Sequence, residues 1–265
     1  MLVLHAAPHP DDELIGAPAT LMALRDAGHQ IVNLACSFGR EVDAERRRAE
    51  VEEACRRAHF ELVELEQPLT DEPRADDAVR DAAERRLSIE LEGLLSARPF
   101  ELVVGPSPHD RHPGHELVAR ALRETLAAGA GPERWWMWGL WGELPFPTTI
   151  VQFSRRRLHE ICFALAAHKQ ELERNDYRRL VTARSRAETV LAAELAYGFG
   201  EPGLPGPYAE STTEVVRRPD GWRLGAAREL DPDSPFPPPA GPGMNWWLEA
   251  RSVADGFRAA RHSGR

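Results

Sequence analysis

Short apolar runs alternate with amphipathic stripes over the first half of the chain. Residues 1–7, MLVLHAA, form a continuous apolar run, as a strand buried on both faces requires. The stretch APATLMALRDAGH carries a helical stripe through Leu21 and Leu24 that stops at Gly28. A second β-type run, IVNLACSF, covers 31–38. A helix follows over 44–59, with Val51, Ala54, Cys55 and Ala58 on one face. The alternation continues with a strand at 61–66, a polar loop at 68–77 and a helix at 79–97. A strand at 101–106, a helix at 115–130 and a tryptophan-rich fifth strand over 134–141 complete it. Strands spaced by helices in this way predict an α/β fold, a mostly parallel sheet with helices on both faces.

Beyond residue 145 the pattern weakens. A strand fits 148–154, helices fit 155–174 and 179–198, and EVVRRPDGWRLG (214–225) predicts a hairpin turning at Pro219-Asp220-Gly221. Residues 231–243 are proline-rich and read as an extended surface segment or linker. A short helix and a frayed tail follow. With 265 residues, 42% of them apolar, one large core is possible. The reading is a single domain over 1–265, with 231–265 as a C-terminal extension of unassigned role.

Composition narrows the function classes. No apolar run reaches membrane-spanning length, and the first residues lack the basic and long apolar regions of a signal peptide. Cys36, Cys55 and Cys162 are odd in number with no CxxC spacing, so they read as buried thiols in a reducing cytoplasm. A net charge of −9 argues against general affinity for phosphate backbones. Arg46, Arg47 and Arg48 read mainly as a solvated helix face. The expectation is a cytoplasmic protein acting on a small molecule, with no nucleic-acid or membrane partner and no legible oligomeric state.

Two polar clusters carry the chemistry. HPDDE (residues 9–13) follows the first strand, and HDRHPGH (109–115) follows the fourth. In open α/β sheets ligands bind outside the carboxyl ends of strands, so the two loops are expected to meet. Alone, HPDDE reads as acidic residues at a helix start. Together with the second cluster it reads as a metal site, since two imidazoles and one carboxylate leave an open position for water. Of the adjacent Asp11 and Asp12, one can bind metal while the other stays free as a base.

Other signals are weaker. GFGEPG (198–203) matches a glycine-rich dinucleotide motif in letters, but it follows a helix and places Pro202 where a helix should begin. Neither a GxSxG elbow nor a Walker-type loop is present. His5 reads as a satisfied core residue. His29, His59, His159, His168 and His262 have no clustered partner in sequence and receive no role. In RWWMWGLW, alternation puts Trp136, Trp138 and Leu140 on one face. Core packing is the default, with Trp138 or Trp141 as the candidates to border a substrate pocket.

APHPDDE near the N-terminus, followed roughly a hundred residues later by HPGH, resembles the zinc-dependent N-deacetylases of the PIG-L/LmbE type, whose usual patterns are AHPDDE and HPDH. Arg47-x-x-Glu50-x-x-x-Ala54 resembles that family's arginine-and-glutamate helix, and PYAE (207–210) a C-terminal element of many members. The resemblance runs over roughly 1–215. It implies a Rossmann-like sheet and hydrolysis of an N-acetylated amino sugar in a glycoside or glycoconjugate. It also implies zinc, a site that other divalent metals also suit. Residue by residue, it implies His9, Asp12 and His115 as metal ligands and Asp11 as general base. His112 becomes the stabiliser or acid for the tetrahedral intermediate, and Arg47 lies near the substrate. Glu13 caps the next helix or supports the site from behind. Gly114 departs from the usual aspartate, so the carboxylate that would orient His112 is absent or comes from elsewhere, with Asp110 as the candidate. Two readings stand beside deacetylation: an amidase for a larger acyl group or a thiol conjugate, and a metal- or carbohydrate-binding protein without turnover.

Overall fold

The computed structural model describes residues 1–70 and 77–250. Strand β1 (Leu2–Ala7) lies between β2 (Gln30–Gly39) and β4 (Phe100–Pro106), all parallel. β3 (Glu61–Thr70) extends the sheet beyond β2, and β5 (Arg134–Trp138) extends it beyond β4, again in parallel. Antiparallel pairing then adds β7 (Tyr208–Arg218) beside β5 and β6 (Thr149–Phe153) beside β7. β8 (Gly221–Leu224) turns back on β7, and β9 (Arg228–Glu229) lies against β6. The path is β3-β2-β1-β4-β5-β7-β6-β9. The fold is thus the mixed, mostly parallel α/β sheet that the alternation predicts.

Both faces are covered. Val3 packs with Leu14, Leu21, Val51 and Trp136, while the next residue, Leu4, packs with Leu87, Val103, Leu122 and Trp135 on the other side. The period of two along a strand produces this split. It also sorts the fifth strand as expected: Trp136, Trp138 and Leu140 lie in one core, Trp135 and Met137 in the other. Helices α2 (Pro18–Asp26) and α3 (Glu41–Ala58) cover the first face. Helices α4 (Asp77–Ala97) and α5 (Pro113–Ala127) cover the second.

Strand order reverses at β1. The chain runs outward through β2 and β3, then returns to place β4 on the other side of β1. The loops leaving the carboxyl ends of β1 and β4 therefore lie side by side, which is where open α/β sheets form a binding crevice.

Several boundaries differ from the pattern. β3 runs to Thr70, past Pro68. It is an edge strand, where a missing ladder donor is tolerated, and its register shifts between Ala35 and Ser37 of β2. The rest of the expected polar loop, 71–76, lies outside the described residues, as does the tail from 251 onward. The single helix expected over 155–174 is two, α6 (Arg155–Leu165) and α7 (Lys169–Arg174), with His168 in the break. Helix α8 (Tyr177–Tyr197) follows. The proline-rich segment returns to the body: Phe236 meets the Trp136 ring, and Met244, Trp247 and Leu248 are buried at the short helix α9 (Asn245–Leu248). No helix among the described residues is long and apolar enough to cross a membrane.

Candidate metal centre and substrate cleft

The β1 loop is built around a backbone exception. Asp11 has φ 109°, in the left-handed region that non-glycine residues rarely adopt. It opens the short helix α1 (Asp12–Ile15), and the reversal sends the side chains of Asp11 and Asp12 to different surroundings. Asp12 Oδ2 accepts the His9 backbone N–H at 2.9 Å and lies 3.2 Å from His9 Nδ1 and 3.3 Å from His115 Nε2. Burial alone would raise the Asp12 pKa, but His115 and His9 outweigh it and hold the carboxyl well below its usual range. Asp11 shifts the other way. Burial, then the neighbouring Asp12 charge, push its carboxyl up to about 8.

The β4 loop supplies the imidazoles. His112 caps α5, its Nδ1 accepting the Gly114 N–H at 3.2 Å, which leaves Nε2 as the donor nitrogen of a neutral ring. Its centroid lies 4.7 Å from that of His9 and 4.6 Å from that of His115. Ligand atoms of His9, His112 and His115 fall within 4.8 Å of one another. His115 Nδ1 donates to Asp110 Oδ2 at 2.5 Å, so Nε2 is the nitrogen turned toward Asp12. The other Asp110 oxygen accepts backbone N–H groups of Leu140, Trp141 at 2.9 Å and Gly142 at 3.2 Å. Asp110 thus serves His115 and the loop after β5.

These donors fit a divalent metal. Nitrogens of His9, His112 and His115 converge, the Asp12 carboxylate lies beside two of them, and the buried Asp110 carboxylate fixes His115 from behind, as metal-bound histidines usually require. Gly114 belongs to the same packing. A Cβ built there would stand 2.8 Å from both Cε1 and Nε2 of His9.

The cleft above the cluster holds about 660 Å³. Its walls include Arg47 from α3, Trp141 from the loop after β5, Gln170, Glu171 and Arg174 from α7, and Tyr177 at the start of α8. Trp141 is 43% exposed, with its ring edge-on to Tyr177. Arg47 reaches Pro10 O at 3.5 Å and Glu171 at 3.6 Å. Trp138 is not in the cleft. It is fully buried, its Nε1 donates to His5 Nε2 at 3.2 Å, and its ring meets His115 edge-on at 5.2 Å. The position alternates inward, so Trp138 backs a candidate ligand instead of touching substrate. His5, whose Nδ1 contacts Asn33 Oδ1 at 2.7 Å, is a satisfied core residue.

The sequence reading missed one partner. His168 is fully buried, and its Nε2 meets Glu13 Oε1 at 2.6 Å. The other Glu13 oxygen accepts the Asp11 N–H at 3.0 Å, a reach-back from within the helix to its cap. The pair is separated by 155 residues, so local spacing carried no trace of it.

A family model describing PIG-L, GlcNAc-PI de-N-acetylase, matches residues 4–126. Residues 4–126 carry a PIG-L family domain. The PIG-L match contains both polar clusters and ends within α5, so the α7 wall and Trp141 lie beyond it. Solved structures extend the likeness. The zinc-inhibited form of teicoplanin deacetylase Orf2 is 16% identical with a TM-score of 0.62, covering 83% of this chain and 100% of that one. N,N′-diacetylchitobiose deacetylase from Pyrococcus horikoshii is 18% identical with a TM-score of 0.54, covering 80% and 83%. The 4-carboxy-2-hydroxymuconate hydratase GalB from Pseudomonas putida KT2440 is 16% identical with a TM-score of 0.54, covering 82% and 97%. At these identities the likeness establishes the fold. A curated relative, 2-succinyl-5-enolpyruvyl-6-hydroxy-3-cyclohexene-1-carboxylate synthase from a Nocardioides species, is 38% identical over 80 residues, which span 30% of this chain and 14% of that protein.

Proposed function

We propose that this chain is a metal-dependent amide hydrolase that removes the acetyl group from an N-acetylated amino sugar in a glycoside or glycoconjugate. The observation that carries the reading is the adjacent aspartate pair. One carboxylate is held ionised between two imidazoles, and the other is made basic at the cleft floor. Opposed environments for neighbouring titratable groups mark a division between ligand and acid–base roles.

His9, Asp12 and His115 would hold the metal, with zinc the first choice for that donor set. When bound, zinc supplies a water of lowered pKa and polarises the acetyl carbonyl. Asp11 takes the proton of the attacking water and returns it toward the leaving amine. His112 donates from Nε2 to the oxygen on which negative charge develops, its other nitrogen being occupied by Gly114 N–H. Asp110 keeps His115 in the tautomer that presents Nε2. Arg47 and Trp141 flank the sugar or its aglycone, a guanidinium for hydroxyl or acidic groups and an indole face for an apolar one.

A hydratase shares this fold, so the fold does not choose the reaction. The PIG-L match favours amide hydrolysis. Acetate release from a panel of N-acetylglucosamine derivatives by the zinc-loaded protein is the test. Asp11→Asn is expected to retain metal and lose turnover by about 10²-fold or more, whereas Asp12→Ala loses metal. Equal metal loss in both, by elemental analysis, would overturn the division. Zinc bound with no acetate released across the panel favours a binding protein, and release of larger acyl groups alone favours the broader amidase.

A further inference from the structure

We propose that His168, through its buried pair with Glu13, positions the Asp11 carboxylate over the reaction site. The inference rests on the reading of Asp11 as the base. It concerns a residue outside the cleft wall, one that acts through another residue and not on substrate.

The chain of contacts is short. Asp11 keeps a left-handed backbone at φ 109°. A residue with a side chain holds that conformation only where its surroundings over-determine it. Two bonds do so here: Leu14 N–H to Asp11 O at 2.9 Å, and Asp11 N–H to Glu13 Oε2 at 3.0 Å. The second depends on where the Glu13 carboxylate points. Glu13 is fully buried, and its other oxygen is taken by His168 Nε2 at 2.6 Å. A buried carboxylate without a partner is costly, so His168 fixes both the presence and the direction of the Glu13 acceptor.

His168 also stands in the break between α6 and α7, at the head of the helix that carries Gln170, Glu171 and Arg174 to the cleft. One imidazole therefore joins the base loop to the substrate wall. The link needs a single N–H, because the second nitrogen, Nδ1, has no hydrogen-bond partner. A glutamine amide reaches the Glu13 oxygen from the same backbone. An asparagine amide, one methylene shorter, does not.

The experiment compares His168→Gln with His168→Asn in the zinc-loaded protein. His168→Asn is expected to lower kcat by roughly 10- to 100-fold, the scale of a misplaced catalytic group, with zinc content unchanged. His168→Gln is expected to stay within about threefold of the parent, by the same reasoning. A raised KM with unchanged kcat in His168→Asn would overturn the proposal, since the contact would then place only α7. Equal loss in both variants would overturn it too, since the hydrogen bond would not be the link. If the parent protein releases no acetate from any substrate, the deacetylase reading fails separately. The positioning claim is then decided by the crystal structure of His168→Asn, in which Asp11 is expected to leave the left-handed region and retention of that conformation overturns the claim.

Discussion

Gly114 is the one position in HPGH where this chain lacks the aspartate of the usual HPDH, and the neighbours explain why glycine suits it. The His9 ring occupies the volume a Cβ would need, at 2.8 Å. Gly114→Asp is therefore expected to displace His9 and weaken zinc binding by about tenfold or more, the range for disturbing a ligand's support. Competition against a chelator measures it, and unchanged affinity would show that His9 has another place to go. The motif residues His9, Asp11, Asp12, His112 and His115 were legible as a cluster from the sequence, because each loop directly follows an apolar strand. Their surroundings were not. Whether Asp110 faces His112 or His115, and whether Trp138 faces cleft or core, depends on loop direction and strand alternation within the assembled sheet.

At the scale of elements, the break between α6 and α7 matters most. Helical periodicity runs through it, yet the chain leaves the helix so that His168 can reach Glu13 of α1. Burial alone would lower the His168 pKa, but the charge and hydrogen bond of Glu13 on α1, with Asp11 on the β1 loop and Glu50 on α3, outweigh it, so the net shift is upward from 6.5. The folded protein thus holds the proton more tightly than the unfolded chain. The stabilisation is fully present below pH 6.5 and is lost as pH rises through the raised folded value. Urea unfolding of the metal-free protein should show the parent's advantage over His168→Gln largest at acid pH and shrinking on the alkaline side. An advantage that grew with pH would mean His168 is neutral in the fold.

At the scale of the molecule, topology assembles the site. Residues 9–12 and 112–115 are far apart in the chain but leave adjacent parallel strands at the point where the order reverses. The cluster is preformed and confined to the folded state, so a bound metal should stabilise the fold. At a hundred times Kd, zinc adds about 2.7 kcal/mol, which corresponds to a Tm increase of roughly 5–10 °C for a chain of this size. Thermal unfolding with zinc against a chelator checks this, and superimposable curves would contradict a preformed site.

The sequence by itself determined the parallel α/β layout, the loops that bear the chemistry and the residue types within them. Strand and helix periodicity, and the polar clusters that interrupt it, are local properties of the chain. Only the tertiary structure decided the partners: Glu13 with His168, Asp110 with His115, Trp138 behind His115 and Trp141 at the cleft. Apart from Asp110 and His115, which are five residues apart, these pairings join positions tens to more than a hundred residues apart. Each is selected by what a buried carboxylate, imidazole or indole finds across the packed sheet, a choice that no local spacing encodes.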